Sequence, residues 1–479
     1  MFYQRSERRI KMNKIDLLSL MPQIILAAGA IVLLLSIAIR RNHLFTTITA
    51  ILFVSASFAS LFFHPVQNEI SGIFIRDGFS MFFSGLILIV TVYIMLISHP
   101  YIESRAEDIE EYYILMILAA LGSTVLVSSR HFITFFLGLE LLSTSLYVLI
   151  AFLRDREHSI EAGIKYLIIA AVSSSFLLFG MALIYSGSGS MYFPDLVPYF
   201  RSTEIDFIGL AGIAFMMGGI GFKLALVPFH LWTPDVYEGA PAPISAFVAT
   251  VSKAGMFAFF LRFVYESEIL KVNSFLIFIT TIAVLSMFIG NLMALKEKNV
   301  KKILAYSSIA HLGYLLIALL SGDKTGEHAF AFYLVVYAVT LTGAFAIVSF
   351  LSEIDGDASS LEHYKGIFWT RPGIAIAFSV MLFSLAGIPL TAGFMSKFYL
   401  LLVGIGKELW LLSIVLVFTS IIGLFYYLRI IVVMFTKVES TEKASRVGLL
   451  YGFVFSSITL ILLCVGIFPE FLTRLINFF

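Results

Sequence analysis

The sequence is short of charge and nearly without cysteine. Only 13% of its 479 residues are Asp, Glu, Lys or Arg, about half the share that covers the surface of a water-soluble domain. That shortage excludes an ordinary soluble enzyme, a disordered chain and a nucleic-acid binder. The single cysteine, Cys464, excludes a disulfide framework and a cysteine-held metal cluster within the chain. Lys and Arg number 32 against 31 Asp and Glu, so the net charge of +1 draws no acidic or basic partner. Long loops are missing too. The longest, 186–206 and 352–372, hold about 20 residues each, too few for a catalytic domain.

What is present is apolar: 59% of residues are hydrophobic, and the mean hydropathy is +0.97. The pattern predicts an all-α polytopic membrane protein of 14 helices, each a run of about 20 apolar residues. They are α1 Leu17–Ile39, α2 Leu44–Phe63, α3 Phe79–Ser98, α4 Tyr112–Ser129, α5 His131–Leu153, α6 Gly163–Tyr185 and α7 Phe207–Leu231. The second half holds α8 Pro243–Val264, α9 Ser274–Leu295, α10 Lys302–Leu320, α11 His328–Leu351, α12 Gly373–Leu402, α13 Leu409–Phe435 and α14 Leu449–Ile467. The first run is too long for a signal-peptide core and a second span follows at once, so α1 reads as a mature helix. Lys and Arg gather in the loops after odd-numbered helices, which predicts those loops in the cytoplasm and both termini outside. Arg5, Arg8, Arg9 and Lys11 oppose that bias. Residues 1–16 therefore read as an N-terminal extension, with Met12 as the expected natural start.

Five ionisable residues lie deep inside these runs: Glu140 in α5, Lys223 in α7, Lys253 in α8, His311 in α10 and Lys397 in α12. A charge at the bilayer centre costs about 2.5–3.5 kcal/mol. Three lysines and a glutamate therefore cost roughly 10 kcal/mol, comparable with the net stability of a whole domain. Such groups persist only where they pair, face water or change protonation state. An apolar site favours the neutral form of an ammonium and a nearby carboxylate favours its charged form, so moving the carboxylate loads or releases a proton. Lysine suits that role better than arginine, which stays charged. Glycines and Pro228 or Pro389 lie beside Lys223 and Lys397, and are expected to interrupt α7 and α12 and open backbone groups to water. Lys397 follows Lys223 by 174 residues and His311 follows Glu140 by 171, with five helices between the members of each pair. An odd number of intervening helices inverts the second unit, as in transporters built from inverted repeats.

Other polar residues carry blander readings. Arg262 and Arg429 lie near helix ends and are expected to snorkel to the interface. Lys165, one turn into α6, is open to snorkelling or to a proton path. Asn291 reads as a helix–helix hydrogen-bond donor. The stretch His230–Pro243 reads as a proline-rich loop, either a gate or subunit contact or a rigid turn. The 48 Phe and 21 Tyr read as lipid-facing and core packing, with no cofactor implied.

Four stretches carry a family resemblance: GFKLALVPFHLWTPDVYEGAPAP (221–243), KKILAYSSIAHLGY (301–314), SLAGIPLTAGFMSKFY (384–399) and GLELLS (138–143). With them, and over essentially the whole chain after Met12, the sequence resembles the antiporter-like membrane subunits of respiratory complex I. The resemblance implies 14 helices with interrupted α7 and α12 and two inverted five-helix repeats. Helices α1–α3 (17–98) precede the first repeat (112–264, α4–α8), the second (274–435, α9–α13) follows, and 449–479 holds α14 and the C-terminus. It also implies that Glu140 and Lys223 form the input ion pair, that Lys253 and His311 form a relay across the membrane plane, and that Lys397 is a second terminal site. Ser396 stands where the family usually has glycine. Lys397 argues against the M subunit, which usually has glutamate there, and the chain's end after α14 argues against the L subunit with its lateral helix. The implied function is proton translocation in an NADH–quinone oxidoreductase of the bacterial inner membrane. Its implied partners are the M subunit, the small K, J and A subunits and the lipid bilayer. No cofactor is expected in this chain; FMN, iron–sulfur clusters, NADH and quinone are expected in partner subunits. An Mrp-type Na⁺/H⁺ antiporter subunit and a membrane-bound hydrogenase subunit are the competing readings.

Overall fold

The computed structural model describes residues 14–63, 68–70, 72–106, 109–202, 205–355, 358–437 and 448–478. The expected start at Met12 and the basic residues Arg5, Arg8, Arg9 and Lys11 lie outside the described residues. Helices occupy all 14 expected positions. Twelve are long and apolar enough to cross a membrane unaided: α1 Met21–Ile39, α2 His43–Ser60, α3 Gly78–Glu103, α5 Phe132–Ile150, α6 Glu157–Ser188, α7 Phe207–Leu224, α8 Ala242–Ser267, α9 Asn273–Lys296, α10 Val300–Leu320, α11 Lys324–Ser352, α13 Trp410–Phe435 and α14 Leu449–Ile467. The other two positions hold shorter helices. α4 is Glu111–Val127, and α12 comprises two 15-residue pieces, Pro372–Ala386 and Ala392–Gly406. Each piece is about 22 Å long, short of a hydrocarbon core of about 30 Å, so only the two end to end can span it. The chain is a multi-span, all-α membrane protein; a single hairpin, Asn68–Ile70 with Phe74–Arg76, decorates the α2–α3 connection.

Burial sorts the helices. α8, α10 and α11 are enclosed along almost their whole length, whereas less than half of α1, α2, α6, α9, α13 and α14 is buried. The enclosed helices thus form a central layer in which polar groups must find protein partners, since lipid offers none.

Both interruptions end their first half in the same way. After α7, Ala225 turns left-handed (φ 57°), with Ala225 N–H bonded to Phe222 O and Leu226 N–H to Gly221 O, both at 2.9 Å. After the first half of α12, Gly387 takes the same conformation (φ 84°), with Gly387 N–H to Ser384 O at 3.1 Å and Ile388 N–H to Phe383 O at 3.0 Å. These are Schellman terminations, which close a helix end while leaving other carbonyls open. α7 therefore stops at Leu224, seven residues short of the expected Leu231. The apolar stretch beyond it keeps the hydropathy high although the ladder has ended. The expected proline-rich loop is mostly a short buried helix, Trp232–Gly239. Pro234 sits in its first turn, where a missing N–H costs nothing.

One arginine departs from the expected snorkelling. Arg262 is buried within α8, with Nη1 and Nη2 each 2.8 Å from the carboxylate of Asp77 and Nη1 also 3.1 Å from Glu266. Its guanidinium lies 4.6 Å over the Phe79 ring. Arg429 donates from Nη1 to Leu295 O at 3.0 Å and from Nη2 to Glu297 O, and so closes the C-terminal end of α9. Asn291 does join helices as expected: it donates to Tyr314 Oη on α10 and accepts from Tyr426 Oη on α13, both at 3.0 Å.

Burial pushes the Asp77 carboxyl up, but the Arg262 charge and hydrogen bonds, with the N–H and hydroxyl of Ser80, outweigh it and hold the group below the ordinary carboxylate value. A depressed folded-state value stabilises above the unfolded one and loses that contribution as pH falls. Replacing Arg262 by Leu strands Asp77 and is expected to destabilise the protein by about 3 kcal/mol. Thermal unfolding in detergent should also show the wild type, but not Arg262→Leu, losing this increment as pH drops through the acid range.

Candidate functional site

The ionisable residues read from the sequence lie along the buried interior, and the two interruptions organise them. Lys223 occupies the last turn of α7 and is buried. Its Nζ donates to Ser143 Oγ at 2.7 Å, and it lies 5.4 Å over the Tyr166 ring. Ser143 follows Glu140 by three positions on α5, so the two share a face. Glu140 is half-buried and accepts from Ser174 Oγ on α6 at 2.6 Å. Among the described residues no direct Glu140–Lys223 ion pair forms; the Ser143 hydroxyl accepts from the ammonium and donates its own hydrogen bond to Leu139 O at 2.6 Å.

Lys253 addresses the same helix end from another direction. A π-helical segment, Val248–Ser252, immediately precedes it in α8; such widened turns recur at functional positions. Its Nζ donates to the backbone oxygen of Lys223 at 2.7 Å and lies 4.8 Å over the Trp232 indole. The indole N–H donates to Phe222 O at 3.0 Å. A cation here also meets the negative end of the helix dipole. At the α7 break the Lys223 carbonyl thus has an ammonium as donor, and the Phe222 carbonyl accepts from an indole as well as from Ala225 N–H.

The second interruption uses one lysine. Lys397 lies in the second half of α12, and its Nζ reaches back to Ala386 O at 2.9 Å, the last residue of the first half. Its chain crosses Gly387 so closely that a Cβ there would sit 2.9 Å from Lys397 Cδ. Gly393 is tighter still: its N–H donates to Ser384 Oγ at 3.2 Å, and a Cβ would fall 1.7 Å from Ser384 O. Ser396, at the position usually glycine in the resembling family, turns its hydroxyl onto Gly393 O at 2.8 Å and leaves no open polar group.

His311 sits between the two breaks. Its Nδ1 lies 2.7 Å from Tyr333 Oη and its Nε2 3.3 Å from Tyr427 Oη. His311 and Lys397 line one small cavity of about 10 Å³, with Tyr333, Tyr337, Thr340 and Ser384. That is room for about one water with several polar neighbours. A hydroxyl chain runs back toward the first break: Tyr337 Oη lies 2.5 Å from Ser308 Oγ, which is 3.5 Å from Tyr237 Oη in the short helix after α7.

Lys165 is not brought into this interior. It is half-exposed on α6 and bridges Glu161 at 2.7 Å and Asp235 at 3.1 Å. Sequence reasoning missed Ser143, although its spacing from Glu140 announces it. The tyrosine pair Tyr333 and Tyr337, one turn apart on α11, was an equally readable signal. Lys301 was missed because it lies at a helix edge in the sequence; in the fold it is buried, donating to Glu238 O at 2.7 Å and Ala240 O at 2.9 Å.

This arrangement defines a membrane protein with titratable groups strung through an enclosed core, and comparison with known proteins gives it a family. Residues 129–423 match the family described as NADH:quinone oxidoreductase/Mrp antiporter, TM. The chain is 39% identical to the NADH-quinone oxidoreductase subunit N of Acinetobacter baumannii (strain AB0057) over 472 residues, 95% of this chain and 94% of that one. It superposes on a chain of respiratory complex I from Thermus thermophilus with TM-score 0.81 and 30% identity, covering 95% of this chain and 99% of that one. A chain of the Mrp complex from Dietzia sp. DQ12-45-1b gives TM-score 0.85 at 19% identity, covering 96% of each chain, which is likeness of fold alone. The protein belongs to the NADH:quinone oxidoreductase/Mrp antiporter membrane-subunit family.

The closure of α12 yields a test. Gly393→Ala drives a methyl group into the Ser384 carbonyl and should lower the yield of assembled complex and its melting temperature more than Lys397→Ala does. Equal stability of the two variants by gel and thermal melt would contradict the packing described here.

Proposed function

We propose that this chain translocates protons as a membrane subunit of an NADH:quinone oxidoreductase, with Glu140, Lys223, Lys253, His311 and Lys397 as the groups that carry them. One observation carries the assignment of residues. Lys223, Lys253 and Lys397 are each held by a neutral acceptor, a hydroxyl or a backbone carbonyl, rather than by a carboxylate. An ammonium so held can lose its proton without stranding a buried counter-charge, whereas the Arg262–Asp77 pair cannot. Histidine and tyrosine side chains both donate and accept, so His311 and its tyrosines suit a relay between the two breaks. Driving one charge against 100 mV takes about 2.3 kcal/mol, the size of one hydrogen bond to a charged group, about 1.5–3 kcal/mol. Exchanging a single partner at Lys223, for instance Ser143 for Glu140, is then energetically sufficient.

In this reading the electron chemistry belongs to other subunits, which bring NADH, FMN, iron–sulfur clusters and quinone, and the chain sits beside the M, K, J and A subunits in a bacterial inner membrane. The charge bias of the loops supports both termini on the outer side. The 39% identity to a subunit N, against 19% to an Mrp chain, favours the oxidoreductase over the antiporter.

Lys223→Ala and Glu140→Ala should each leave the complex assembled and lower quinone-coupled proton pumping at least about tenfold. Lys165→Ala, at a surface pair, should change it little. Wild-type pumping by both interior variants in reconstituted vesicles would defeat the assignment.

A further inference from the structure

The N-terminal ends of α12 and α14 stand apart and leave a groove of about 660 Å³, walled by Ile376, Ala377, Phe455 and Leu463. It is open where Gly373 and Gly452 carry no side chain; a Cβ on either would meet nothing within 4 Å. Three hydroxyls line it, and each is spent on its own helix: Ser456 on Gly452 O at 2.8 Å, Thr459 on Phe455 O at 2.7 Å and Thr370 on Ile367 O at 3.4 Å. The one unspent polar group is Arg371 at the mouth. Its Nε is buried without a partner, its guanidinium stands 6.0 Å from the Phe350 ring, and no carboxylate pairs with it among the described residues. The mouth lies at the level of a half-exposed Trp369, over which Lys437 Nζ stands at 5.4 Å. An exposed tryptophan beside basic side chains marks the headgroup zone of a bilayer. From Gly452 to Leu463 the groove follows eleven residues of α14, about 16 Å, which matches one leaflet of a core about 30 Å thick.

An apolar slot one leaflet deep with a single unpaired guanidinium at the interface fits an amphiphile with one anionic end. We propose that it holds a glycerophospholipid, the phosphodiester on Arg371 and one acyl chain laid between α12 and α14. Guanidinium binds phosphate oxygens through a planar fork of donors, and that pairing supplies the partner its Nε lacks.

The test is photo-crosslinking of the assembled membrane complex in vesicles containing phosphatidylglycerol with a diazirine on its acyl chain. Adducts are expected on peptides spanning 374–377 and 455–463. Arg371→Gln should cut their yield about tenfold, Arg371→Lys should restore much of it, and quinone-linked turnover should stay near wild type. Gly452→Leu, which fills the slot without touching the guanidinium, should cut the yield as well and covers the case in which Arg371→Gln does not assemble. Adduct yield unchanged in both variants would overturn the proposal. So would a photoreactive residue at position 376 that crosslinks to a neighbouring subunit instead of to lipid.

Discussion

The interior of this protein depends on the mutual satisfaction of buried ammonium groups and opened backbone carbonyls. A helix that stops inside a membrane leaves carbonyl oxygens with no donor, and lipid supplies none. A lysine side chain in the same place needs acceptors just as badly. Joining the two removes both penalties, and here it happens three times: Lys253 on Lys223 O, Lys397 on Ala386 O and Lys301 on Glu238 O and Ala240 O. Arg429 on Leu295 O closes the end of α9 in the same manner. The positions of Lys253 and Lys397 are thus tied to backbone geometry.

That choice of partner separates two kinds of buried charge in one chain. Arg262 is locked between Asp77 and Glu266, and removing any proton or partner there strands a charge. Lys223, Lys253 and Lys397 have neutral acceptors and so have an alternative neutral state. The first arrangement is a fastener between α8 and the start of α3. The second leaves a neutral alternative open to each lysine, which is what the proposed proton path requires of them.

Much of this was legible in the sequence because hydropathy reports which residues meet lipid. All 14 helix positions and the placing of the five ionisable residues inside apolar runs follow from it, while the interruptions were announced by glycines with Pro228 and Pro389. Hydropathy does not report hydrogen bonding along the backbone, which is why α7 reads through Leu224 to Leu231 although the ladder has ended. Nor does it show partners distant in sequence. Arg262 looks free to snorkel until Asp77, 185 residues away, is seen to be its partner. The short helix Trp232–Gly239 was hidden by Pro234 and by the prolines that follow it, although a proline is harmless in a first turn.

The two breaks share a termination but not a placement of lysine. At α7 the lysine precedes the break, its own carbonyl is capped by a second lysine from α8, and its ammonium is left to face α5. At α12 the lysine follows the break and caps the first half alone. The first site therefore holds two cations tied to one helix end, where charge on either opposes charge on the other at close range. The second has only His311 across a cavity the size of a water. Charge on Lys223 therefore acts on Lys253 at the same helix end, whereas among the described residues no second lysine reaches the helix end that Lys397 caps. That asymmetry is built into where the chain stops being helical, and it makes the two ends of the proposed path electrostatically unlike.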